Sequence, residues 1–152
     1  MRPNQSATFR GYQLARTDNF RKQHAEILDT ARQISQYFGS TISEEEAAVI
    51  RRQLSKMHGL VGLHLAMEDK SLYPSMLRST DPAARDLAQR YSAEMGDLSA
   101  AFERYMKAWS KGSAISASPA AFTEESKGIF NALSKRIHRE NTQLYPVADS
   151  LA

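Results

Sequence analysis

Histidine, glutamate and arginine recur at fixed spacing in two stretches of this chain. LHLAMEDKSLYP, residues 63–74, carries His64 and Glu68 four residues apart. KRIHRENTQLYP, residues 135–146, carries Arg136 and Glu140 at the same spacing, 72 positions further on. Both stretches end in Leu-Tyr-Pro. Residues four apart stack on one face of a helix. Two carboxylates in one buried layer repel each other and lose hydration, so they need protons, a metal or a cation. Imidazole with carboxylate is a ligand set for iron, manganese or zinc. A guanidinium is never a ligand, because it has no lone pair to offer. One stretch therefore carries metal-binding chemistry, and its counterpart carries a fixed positive charge.

The elements that must position these groups read as helices. The 152 residues are 41% hydrophobic and 24% charged, which fits one soluble globular domain. Helix 1 is expected to start at Asp18 as N-cap and end near Phe38, before Gly39. Its buried face is Phe20, His24, Ile27, Ala31, Ile34 and Phe38. Helix 2 opens with Ser43 and Glu46 in a capping-box pattern. Its face runs Ile50, Leu54, Met57, Val61, His64, Glu68, Leu72. Helix 3 opens at Asp81-Pro82 and buries Leu87, Tyr91, Met95, Leu98, Phe102, Tyr105 and Trp109. The segment KGSAISASPA reads as a loop. Helix 4 covers about 120–145, with Ile129, Leu133, Arg136, Glu140 and Leu144 inward. No strand pattern competes. The expected fold is all-α, an up-down-up-down four-helix bundle over residues 17–152, with a short N-terminal arm over 1–16 anchored by Phe9 and Tyr12.

The chain also repeats weakly. Helix 2 aligns with helix 4, and helix 1 with helix 3, so that His24 lies over Met95 as His64 lies over Arg136. Polar residues thus fall at core positions on helices 1, 2 and 4. Such a layer in a bundle core is where di-metal carboxylate sites are built.

At this point the chain resembles the hemerythrin-like, HHE cation-binding, family. The resemblance covers residues of roughly 18–148. It rests on His24 in RKQHAEIL, on His64 and Glu68 in HLAMEDKSLYP, and on Glu140 in RENTQLYP. In that family a four-helix bundle holds a non-haem di-iron centre. Helices 1 and 3 give one histidine each, and helices 2 and 4 each give His-x-x-x-Glu. The resemblance implies metal ligands at His24, His64, Glu68 and Glu140. It also exposes two departures, because the histidine positions of helices 3 and 4 hold Met95 and Arg136. In the family those two histidines serve one iron, so this chain keeps the set of the other.

Two readings stay open. In one, a single metal remains, iron or else manganese or zinc, with an open position for a small ligand such as O2, NO or peroxide. In the other, no metal binds. Arg136 then neutralises the former site glutamates, and the bundle acts as a regulatory module for a protein partner. Recognition of a small anionic ligand by Arg136 is a weaker third. Tyr91, one turn before Met95, is either a core aromatic or a hydrogen-bond donor to the ligands. His58 and His138 fall off the buried face and read as surface residues.

Composition narrows the rest. There is no Cys, so disulfides, thiolate catalysis and iron–sulfur ligation are excluded. The net charge of +3 and pI near 9.3 come from dispersed Lys and Arg, which argues against nucleic-acid binding. The N-terminus shows no secretory pattern and no apolar run reaches membrane-spanning length, so the expected location is cytoplasmic. No motif marks a dedicated enzyme.

Overall fold

The computed structural model describes the backbone of residues 5–151 and the side chains of residues 17–151. It is helical throughout, with no strand among the described residues. Helix α1 spans Gln5–Ser35 and α2 spans Glu44–Met67, followed by a π-helical turn Glu68–Leu72 and α3, Tyr73–Leu77. Helix α4 is Pro82–Ala108 and α5 is Gly112–Ala117. Helix α6, Pro119–Arg139, passes through a second π-helical turn, Glu140–Leu144, into α7, Tyr145–Ser150. Helix α1 packs on α2, α6 and α7; α4 packs on α3 and α6; α5 lies against α2. No helix among the described residues is long and apolar enough to cross a membrane.

Local chemistry sets the helix starts. Ser43 accepts from the Glu46 N–H while the Glu46 side chain accepts from the Ser43 N–H, a complete capping box for α2. Asp81 accepts from the Ala83 N–H, and Pro82 takes the first helical position, where no donor is needed. Three expectations change. Helix α1 already runs from Gln5, so Asp18 lies within it and does not cap it, and it ends at Ser35. The 111–120 segment is not a plain loop: it folds into α5, which drives Ile115 into the core with no exposed surface. Leu87, Leu98 and Ile129 are only half-buried, and Ala88 and Phe130 take the inward places beside them. The N-terminal segment 1–16, with Phe9 and Tyr12, lies outside the residues whose side chains are described.

Both π-helical turns have the same cause. Pro74 and Pro146 lack an N–H, and a proline ring clashes with the carbonyl four residues back. The chain answers by widening one turn just before each proline. The Tyr73 N–H then reaches Glu68 O, and the Tyr145 N–H reaches Glu140 O, five residues back instead of four. The repeated Glu-x-x-x-Leu-Tyr-Pro is thus a repeated piece of backbone geometry.

The core has two apolar clusters. One holds Ile27, Leu54, Val61, Phe102, Phe122 and Leu133 among others. The other holds Phe20, Leu72, Tyr73, Met76, Tyr91, Leu144 and Tyr145. On three of the long helical stretches the polar residues fall between them: His24 after Phe20 and before Ile27, His64 after Val61 and before Leu72, Arg136 and Glu140 after Leu133 and before Leu144. A polar layer is sandwiched between two oily ones.

Candidate metal centre

Five charged or titratable side chains meet in that layer. His24, His64, Glu68, Arg136 and Glu140 are all buried, none more than 6% exposed. Helix α1 delivers His24, α2 delivers His64, and the last turn of α6 delivers Arg136. The two glutamates open the two π-helical turns.

The histidines face each other. His24 Nε2 lies 3.0 Å from His64 Nε2 and 2.7 Å from Glu140 Oε1. His64 Nε2 lies 2.9 Å from Glu68 Oε1 and 3.5 Å from Glu140 Oε1. The far nitrogens are fixed from outside: His24 Nδ1 is 2.8 Å from Asn141 Oδ1, and His64 Nδ1 is 2.7 Å from Gln23 Oε1. Amide oxygens only accept, so both Nδ1 atoms carry their protons and donate them. The two Nε2 atoms then face one another across the centre.

That crowding calls for a cation. A ring nitrogen carries at most one proton, yet His64 Nε2 has His24, Glu68, Glu140 and Tyr145 around it. Glu68 Oε1, close as it is to His64, lacks hydrogen-bonding geometry and is a buried oxygen without a hydrogen-bond partner. Ligands about 2.1 Å from one ion stand about 3.0 Å apart at a right angle and about 3.4 Å apart at a tetrahedral angle. The separations of 2.7 to 3.5 Å among these donor atoms bracket that range. His24, His64 and Glu140, with ligand atoms all within 4.8 Å of one another, could hold an ion. The donor set fits a metal.

Arg136 occupies the other side of Glu140. Its Nε donates to Glu140 Oε2 at 2.9 Å, and its Nη2 donates to the Tyr73 hydroxyl at 3.0 Å and the Tyr91 carbonyl at 2.9 Å. The guanidinium lies over the Tyr91 ring, 4.5 Å from its centre. Nη1 is 3.7 Å from the half-exposed Glu94, which pairs more closely with Arg139 at 2.9 Å. Met95 is buried and, like Arg136, lines a small cavity next to the cluster.

Electrostatics follows from these contacts. Burial opposes a charged His64, but Glu140 and Glu68 outweigh it and raise its pKa to about 9. Burial and the neighbouring Glu140 raise Glu68. Burial works against an ionised Glu140 too, but bonds from His24 and His64 and the charge of Arg136 hold it well below the usual carboxylate range. Burial and both carboxylates push Tyr145 far up, so its hydroxyl keeps its proton. With Arg136 matched to Glu140, the charge of Glu68 still wants a partner, which a proton on His64 or a metal ion would supply.

Four contributors escaped the sequence reading: Gln23, Asn141, Tyr73 and Tyr145. The Tyr145 hydroxyl stands 3.2 Å from His24 Nε2, 3.3 Å from Glu140 Oε1, 3.4 Å from His64 Nε2 and 3.5 Å from Glu68 Oε2. On a regular α-helix a residue five beyond Glu140 would sit about 140° round from it. The wide turn brings it back onto the same face. The repeated Leu-Tyr-Pro was the available signal. Tyr91, by contrast, sends its hydroxyl to Gln143 Oε1 at 2.8 Å and toward Arg139 O at 3.3 Å, away from the histidines, so it holds up Arg136 instead. His58 is exposed and pairs with Glu103 at 2.8 Å, and His138 is exposed.

Helical architecture, buried histidines and paired glutamates define a metal-binding class of bundle. Residues 15–148 match the hemerythrin HHE cation-binding domain, and the chain belongs to that family. No curated protein and no solved structure matches it.

Proposed function

We propose that this protein is a hemerythrin-like, up-down-up-down four-helix bundle with a reduced metal site, which holds at most one ion and binds or senses a small ligand such as O2, NO or peroxide, or iron itself. The observation that carries the proposal is the converging pair of histidines. Their Nε2 atoms are 3.0 Å apart with Glu140 between them, and their Nδ1 atoms are pinned by Asn141 and Gln23. His24, His64 and Glu140 would hold the ion, and Glu68, with its unpartnered oxygen, would be the fourth ligand. Two imidazoles with carboxylate favour iron, with manganese and zinc as alternatives. The ion would supply a Lewis-acidic, redox-capable centre with a position for a small molecule.

The chain's own residues set the rest. Arg136 stands where the family's helix 4 histidine would be and supplies a charge that a second ion would otherwise bring. Met95 offers a thioether, a poor ligand for a hard ion. The Tyr145 hydroxyl is a proton-bearing donor among the ligands. The two apolar clusters keep bulk water from the layer, which strengthens every charge interaction inside it. A cytoplasmic location and a sensing or signalling role accord with this reading.

A second reading has its own support. Arg136 and Glu140 already form a buried pair, and a proton on His64 can serve Glu68, so the network can close without metal as a regulatory or protein-interaction module. Nitric oxide separates the two. Ferrous-loaded protein kept free of oxygen should take up one NO per bound metal, and His64→Ala should abolish that uptake. Uptake of neither metal nor NO would leave the interaction module.

A further inference from the structure

Tyr145 is fully buried at the centre, and the Phe20 and His24 rings stack on it with their centres 5.7 and 5.3 Å away. Its hydroxyl is surrounded without being well bonded. His24 Nε2, Glu140 Oε1, His64 Nε2 and Glu68 Oε2 stand 3.2, 3.3, 3.4 and 3.5 Å from it. All four distances exceed the usual hydroxyl hydrogen bond of about 2.7–2.8 Å. Tyr73, the matching residue of the first Leu-Tyr-Pro, is served differently: its hydroxyl accepts from Arg136 Nη2 at 3.0 Å. The two copies of the motif therefore place their tyrosines in different chemistry.

We infer that Tyr145 is a metal ligand, which binds the ion through its phenolate oxygen. This rests on the reading of the centre as a metal site. The Tyr145 oxygen makes a four-cornered cage with His24 Nε2, His64 Nε2 and Glu140 Oε1, and the six edges run from 2.7 to 3.5 Å. Four points so evenly spaced cannot lie in one plane, so they enclose a space between them. Donors about 2.1 Å from one ion stand about 3.0 Å apart at a right angle and about 3.4 Å apart at a tetrahedral angle. The three edges that reach Tyr145 are 3.2, 3.3 and 3.4 Å, all within those limits. Distances too long for good hydrogen bonds are the right length for donors that share an ion.

Ligation displaces one proton and transfers no electron. The phenolic O–H bond breaks, the oxygen binds the ion, and the proton leaves to solvent. In the metal-free chain the neighbouring carboxylates keep that proton in place; a bound cation reverses the local charge balance. A phenolate is a hard, anionic donor, so Tyr145 would turn the preference of the site toward ferric iron and away from zinc.

A phenolate on ferric iron absorbs visible light by charge transfer, and zinc gives no such band. The full-length protein should be loaded with ferrous iron without oxygen, freed of excess, oxidised with ferricyanide and assayed for bound iron. The native chain should show the band. Tyr145→Phe should keep iron and lose the band, and Tyr73→Phe should retain both. Raman scattering excited in the band of the native chain should show phenolate ring vibrations that shift when the tyrosines are ring-deuterated, which holds even if Tyr145→Phe does not fold. Bound ferric iron without the band, or a band unchanged in Tyr145→Phe, would overturn the inference and leave the metal site standing. A native chain that takes up no iron would remove both.

Discussion

Arg136 is the residue on which the charge balance turns. It sits 6% exposed with Glu140 2.9 Å away, and removing one partner of a buried pair strands the other. Arg136→Ala should destabilise the metal-free protein by about 3–5 kcal/mol in urea unfolding, because Glu140 loses its matched cation. A divalent ion should restore part of that loss. A change under about 1 kcal/mol would mean that Glu140 is satisfied by the histidines alone. Asn141 and Gln23 act one step further out, by fixing the imidazoles. Asn141→Ala should weaken metal binding about 10–100-fold in a chelator competition, with helical circular dichroism unchanged. The ligand candidates were legible in the sequence because each lies on the 3.6-residue face of its helix. Asn141 and Tyr145 were not, because that period places them elsewhere. The information lay in the backbone, not in their spacing.

At the scale of the element, the two π-helical turns do the positioning. Each begins at a site glutamate and ends one residue before the tyrosine that precedes a proline. Pro146→Ala removes the clash that favours the wide turn, and a regular turn would carry Tyr145 off the site face. Metal affinity should therefore fall, although Pro146 supplies no ligand. Unchanged affinity would show that packing of Leu144 and Tyr145 alone maintains the turn. The long helices and their caps at Ser43 and Asp81 were readable from pattern, since local side-chain to backbone bonds set them. Two of the departures, α5 and the early start of α1, have different reasons. Apart from Ile115 the α5 segment holds only small residues, two Ser, two Ala and one Gly, so its helical turn depends on burying one side chain against α2. Asp18 looked like a cap because it precedes an apolar period, but a cap needs a non-helical residue, and the helix is already running there.

At the scale of the whole molecule, the polar layer interrupts a core that is otherwise oily on both sides. Its protonation should govern the pH response of the metal-free protein. His64 has its pKa raised from 6.5 to about 9 in the fold. Its contribution to stability is complete below pH 6.5 and is lost as pH rises through about 9. Melting temperature of the metal-free protein should therefore fall across that interval, and a flat profile would show that His64 stays neutral. The outer cores should be separable from the site. Phe122→Ala, in the larger cluster and fully buried, should cost about 3–5 kcal/mol without changing metal stoichiometry.

On the proposed reading, Met95 and Arg136 leave the chain with ligands for at most one ion. Counting metal per chain tests it most directly, after anaerobic loading with ferrous iron and removal of excess. The native chain should retain at most one ion, and the double variant Met95→His with Arg136→His should retain two. Two ions bound by the native chain would contradict the account.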